Sequence, residues 1–108
     1  LNPFIFNFEE NWLSSSNIIV PQSFSITNIY PNPFNPSLNI EFRLKNTSKI
    51  IFKFYDLSGR EIDSINLGII EPNNHNIIWE PNNISSGTYL ITMSNGSEIY
   101  KTRATFIK

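Results

Sequence analysis

Leu38-Asn39-Ile40-Glu41-Phe42-Arg43-Leu44 alternates apolar and polar side chains at every step. Successive side chains leave a pleated backbone on opposite sides, so a period of two marks a strand with one dry face and one wet face. A few residues later Ile50, Phe52 and Phe54 alternate with Ile51, Lys53 and Tyr55 in the same way. Asp56-Leu57-Ser58-Gly59 then reads as a turn, with Gly59 supplying the positive φ that closes a hairpin.

The pattern continues in both directions. Downstream, Ile62, Ile65 and Leu67 form a weaker strand suited to a sheet edge, and Glu71-Pro72-Asn73-Asn74 is a turn. His75, Ile77 and Trp79 share one face of the next strand. Pro81-Asn82-Asn83 and Ser85-Ser86-Gly87 flank a short link into Thr88–Met93. Asn95-Gly96 is a two-residue hairpin signal that asks for left-handed backbone at both positions. A last strand is expected over about Glu98 to Ile107. Upstream, Phe24–Tyr30 is a first short strand, followed by Tyr30-Pro31-Asn32-Pro33-Phe34-Asn35-Pro36. Each proline there removes a donor and restricts the residue before it, which excludes helix and central strand. The segment is expected to be an extended connection, with Tyr30 and Phe34 pinning it onto the core.

Seven short strands with turn chemistry between them predict an all-β, antiparallel sandwich of about seven strands. Helix formers are scarce, and the one alanine is Ala104. Without disulfides, a domain this small must close its sheets over aromatic filler. The predicted core fillers are Trp79, Tyr89, Phe42, Phe52, Phe54 and Phe106.

Composition removes several function classes. The net charge is −1, from 8 basic and 9 acidic residues scattered along the chain, so no nucleic-acid footprint is present. No apolar run approaches the ~20 residues that span a bilayer as a helix. Cysteine is absent, which removes thiol nucleophiles and thiolate metal sites, and His75 is the single histidine. No acidic spacing matches a calcium loop, and no cofactor is expected. Residues 1–22 read differently from the rest, as a linker or a remnant of a preceding domain. Asn2–Phe8 could add a strand with Phe4, Phe6 and Phe8 on one face. The chain starts at Leu1, which suggests a piece of a longer protein with the sandwich proper over 23–108.

Three pieces of punctuation occur in order: Tyr30-Pro31-Asn32-Pro33-Phe34-Asn35-Pro36-Ser37, then Phe54-Tyr55-Asp56-Leu57-Ser58-Gly59-Arg60-Glu61, then Ser86-Gly87-Thr88-Tyr89. Together they resemble the C-terminal sorting domain of proteins exported by the type IX (Por) secretion system of Bacteroidetes-like bacteria, over about residues 22–108. The resemblance implies an immunoglobulin-like sandwich and a non-catalytic role. Its partners would be the outer-membrane translocon, the sortase-like attachment machinery and a cargo domain upstream in the same chain. The destination would be the cell surface or the medium, by way of the periplasm and outer membrane. The end of the chain, Lys101-Thr102-Arg103-Ala104-Thr105-Phe106-Ile107-Lys108, departs from the family's more apolar ending by carrying polar Thr105.

The family-motif positions are Tyr30, Pro31, Asn32, Pro33, Phe34, Asp56, Gly59, Arg60, Gly87 and Tyr89. Most have a structural reading beside the functional one: Asp56 capping its turn with Arg60 as a solvated partner, Phe34 as an anchor, Gly87 as backbone geometry. The residues expected to meet the translocon are Lys101, Arg103, Phe106, Ile107 and Lys108, the cationic ones for steering and the apolar ones for docking. Two other readings compete. One is a structural or adhesive module or fibre subunit that donates residues 2–8 as a strand; the other is a carbohydrate-binding module using exposed aromatic rings.

Overall fold

The computed structural model describes residues 23–108. Each alternating stretch becomes a strand there: β1 Phe24–Tyr30, β2 Leu38–Leu44, β3 Ser48–Tyr55, β4 Glu61–Ile70, β5 Asn73–Trp79, β6 Gly87–Ser94 and β7 Ile99–Phe106. Two antiparallel sheets result, one ordered β1-β2-β5 and the other β4-β3-β6-β7. This is an immunoglobulin-like sandwich in which the fourth strand pairs with β3 rather than completing the first sheet.

The alternation decides which face is buried. Leu38, Ile40, Phe42 and Leu44 of β2 point inward against Ile50, Phe52 and Phe54 of β3, while Glu41, Lys49 and Lys53 stay outside. All six expected aromatic fillers are buried. Trp79 is the hub, stacked on Phe54 with ring centroids 4.0 Å apart and touching Phe34 and Tyr89 at 5.6 and 6.4 Å. Aromatic contacts of this kind add about 0.5–1.5 kcal/mol beyond the area they bury.

The β3–β4 turn follows the sequence reading. Gly59 has φ 89° and donates its N–H to the Asp56 carbonyl at 3.0 Å. The expected weak strand after it is longer than its apolar pattern suggests, ten residues, and lies at a sheet edge. A bulge at Gly68 keeps it in register: the φ there is 69°, and the Asn66 side chain accepts the Gly68 N–H at 2.9 Å.

Two expectations are corrected. Asn95-Gly96 does not form a two-residue turn with both residues left-handed. Among the described residues the one non-glycine with positive φ is Asn83, and β6 and β7 are joined by the four residues 95–98. The Asn95 carboxamide accepts the N–H groups of Ser97 and Glu98 at 3.0 and 2.8 Å, so a side chain closes the loop where a tighter backbone turn was expected. Tyr30 does not pin the proline segment onto the core. Its ring is exposed, and its hydroxyl donates to Glu41 at 2.9 Å on the outer face of the β1-β2-β5 sheet. The strand register places Tyr30 opposite Asn39, a wet-face position, and Phe34 alone does the anchoring. The possible strand over residues 2–8 lies outside the described residues.

Candidate functional site

β7 is an edge strand, and an edge exposes unpaired backbone groups that invite misassociation. The proline-rich segment between β1 and β2 covers its C-terminal half. Phe34 N–H donates to the Thr105 carbonyl at 2.8 Å, and Ile107 N–H donates to the Phe34 carbonyl at 3.1 Å, a parallel bridge. On either side of it, Thr105 N–H donates to the Asn32 side-chain oxygen at 3.0 Å, and the Asn35 amide donates to the Ile107 carbonyl. Lys108 N–H donates to the Ser86 hydroxyl at 2.9 Å. Prolines suit such a strap because it pairs with β7 on one side only and needs few donors of its own. The Tyr30-Pro31, Asn32-Pro33 and Asn35-Pro36 bonds are cis.

The strap is held from inside as well. Phe34 is buried against Phe106 at 5.2 Å and against Trp79. Polar Thr105 is accommodated because it sits on the outward side of β7, opposite Thr88, while its backbone carries the strap.

The register gathers the scattered motif positions at one end of the sandwich. β1 ends there at Tyr30, β3 runs there into the Asp56–Arg60 turn, β6 starts there at Gly87, and β7 finishes there with Phe106 facing Gly87. Nearly all of these residues build the fold. The Asp56 carboxylate accepts from Ser58 N–H and hydroxyl and from Arg60 N–H, and Arg60 closes an ion pair on it at 3.1 Å. The Ser58 hydroxyl first, and then the Arg60 N–H, hold its pKa below the usual carboxylate value. Tyr89 is buried and donates its hydroxyl to the Ser85 carbonyl at 2.6 Å, the tyrosine-corner contact that fixes the crossing from β5 to β6.

The expected contact residues divide. Arg103, Ile107 and Lys108 are exposed, and Lys101 is half-buried, its ammonium pKa pushed down by that burial. Phe106 is a core side chain at 7% exposure, so it holds the strand from within and offers no docking face. The sequence reading missed Asn35 and Ser86 as ties to the chain end, because nothing local indicates which carbonyl or N–H a surface amide or hydroxyl will meet. No group of three or more His, Cys, Asp or Glu side chains that could hold a metal occurs among the described residues.

The model of the secretion system C-terminal sorting domain matches residues 28–108. The chain belongs to that family. The sorting domain is thus a C-terminal signal for type IX secretion, which implies contact with that machinery and export to the cell surface or medium, and its family is a sorting family rather than an enzymatic one. No curated protein matches the chain. Among solved structures, the sorting domain is similar to part of a β-glucosidase from Kluyveromyces marxianus, with a TM-score of 0.56 and 15% identity. That likeness covers 80% of this chain but only 14% of the enzyme, and it concerns the fold alone. No helix among the described residues is long and apolar enough to cross a membrane.

Proposed function

We propose that this sorting domain is a non-catalytic address carried behind a cargo in the same chain, read by the type IX outer-membrane translocon after passage into the periplasm and then handled by sortase-like attachment machinery. The observation that carries this reading is the clamped chain end. The strap holds β7 in place while Ile107 and Lys108 remain exposed at the end of the sandwich where the family motifs meet. Lys101 and Arg103 supply positive charge along the same strand and would steer an acidic receptor toward it. Phe106 contributes by anchoring the strand.

The test is a periplasmic reporter carrying the 108-residue chain at its C-terminus in a type IX-competent host. The expected result is reporter at the surface or in the medium; a reporter retained in the periplasm rejects the proposal. The fibre reading depends on residues 2–8, outside the described region. The carbohydrate reading lacks a row of rings: of the large apolar side chains exposed among the described residues, Tyr30 alone is aromatic, and its hydroxyl is engaged by Glu41.

A further inference from the structure

The outer face of the β4-β3-β6-β7 sheet is set by its register. Lys53 of β3, Thr92 of β6 and Lys101 of β7 form one row across the strands. Tyr55, Leu90 and Arg103 form the next, and Ile51, Ser94 and Ile99 the one on the other side. Lys49 lies two residues beyond Ile51 on β3. All of these point away from the core, because their neighbours Ile50, Phe52, Phe54, Ile91 and Met93 fill it.

Charge is unevenly distributed between the two outer faces. Four of the chain's 8 Lys and Arg residues stand on this one: Lys49, Lys53, Lys101 and Arg103. The one carboxylate on its strands that shares the face is Glu61, 3.6 Å from Lys53, since Asp63 lies in register with Phe54 and reaches the Trp79 indole instead. Across the molecule, the outer face of β1-β2-β5 carries Glu41 and Arg43 among asparagines and is balanced. Strand spacing and rise put Lys53 about 10 Å from Lys101 and about 13 Å from Lys49, backbone to backbone. Ile51 lies between Lys53 and Lys49 along β3, Thr92 lies between Lys53 and Lys101, and exposed Ile69 of β4 stands beside Lys49. Leu90 and Thr92 point outward yet are only 4% and 8% exposed, flanked in their rows by Tyr55 and Arg103 and by Lys53 and Lys101. Ile51 is half-buried, and Ile99 is half exposed.

We infer that this sheet face docks an acidic protein surface of the export machinery, with Lys49 and Lys53 of β3 acting together with Lys101 and Arg103 of β7. The inference rests on the sorting reading above and adds to it a surface wider than the final strand and a partner chemistry. The family-motif side chains are largely engaged in turns, strap and core, so recognition falls to a face they do not form. Isoleucines interleaved with charged side chains give the mixed apolar and polar contact surface found at protein interfaces. Ile51, Ile69 and Ile99 are separated by lysines rather than gathered into a continuous apolar stripe, so they offer too little apolar surface to enter a lipid layer. Opposite charge on the partner raises the encounter rate and rejects basic competitors.

The experiment uses the reporter carrying the full chain. Lys49→Glu with Lys53→Glu should lower export about tenfold or more, as expected for charge repulsion at an interface. Lys49→Gln with Lys53→Gln should lower it less, and Arg43→Glu on the opposite face should leave it within about twofold. Thermal midpoints of the purified chains identify any variant that fails to fold, and the glutamine pair then decides. If the unaltered chain is not exported, the sorting reading itself fails. If it is exported and both lysine pairs are exported equally well, the docking face is wrong and sorting stands. A photo-crosslinker at Ile51 should trap a peptide rich in Asp and Glu; trapping only basic segments overturns the assignment. Charge-dependent co-sedimentation with phosphatidylglycerol vesicles, with no protein crosslink, would move the occupant to a lipid surface and likewise overturn it.

Discussion

The indole N–H of Trp79 donates to Asp63 Oδ2 at 2.8 Å, joining β5 of one sheet to β4 of the other. Among the described residues no other buried side chain in the aromatic cluster reaches an acidic partner across the sandwich, and the bond closes the edge opposite the strap. Asp63→Ala leaves a buried donor unmet and should cost about 1–2 kcal/mol, while Asp63→Asn keeps an oxygen acceptor and should cost about half as much. Urea midpoints of the two variants measure this, and an alanine variant as stable as the parent would show that water replaces the carboxylate.

Phe34 carries the strap, so its removal should act on the chain end before the rest of the fold. Phe34→Ala empties a fully buried ring site and should cost about 3–5 kcal/mol. Amide exchange should rise first at Thr105 and Ile107, whose N–H groups bond to Asn32 and Phe34. Uniform acceleration across β2, β3 and β6 instead would mean that the strap is not a separate unit.

Tyr89→Phe keeps the buried ring and removes only the hydroxyl bonded to Ser85. A loss of about 0.5–1.5 kcal/mol is expected, with reporter export unchanged. Loss of export at full stability would assign Tyr89 a contact role that its burial argues against.

Asp56 makes stability depend on pH in one direction. Its folded-state pKa lies below the ordinary carboxylate value, through the Ser58 hydroxyl and the Arg60 N–H. The unfolded chain therefore binds the proton more readily, and the stabilisation is complete above the unfolded pKa of about 3.9. It is lost as pH falls through the folded value. The stability difference between parent and Asp56→Asn should thus be constant near neutrality and shrink in acid below about pH 4. A difference that grew on acidification would contradict the assignment.

Much of the fold was legible because strand signals are local. Leu38 to Leu44 and Ile50 to Tyr55 show their buried faces in their own spacing, and the Asp56–Gly59 turn needs only its own residues. The β6–β7 connection was misread because Asn-Gly permits a tight turn without requiring one, and the Asn95 side chain closed a longer loop. Tyr30 was misread because a ring beside prolines gives no sign of which sheet face it will join. The candidate site was legible only in outline: Lys101, Arg103, Ile107 and Lys108 reach solvent, and Phe106 does not.

Alternation, turn residues and the scarcity of helix formers determined that this chain forms short antiparallel strands around an aromatic core, since each depends on residues a few positions apart. Partnership between distant segments was decided by tertiary structure alone. Phe34 meets Phe106, Trp79 meets Asp63, and Lys53 of β3 shares a face with Lys101 of β7 only once two sheets close over one core. Packing selects those pairings from many that the local pattern allows equally, because any strand with one apolar face satisfies the same alternation.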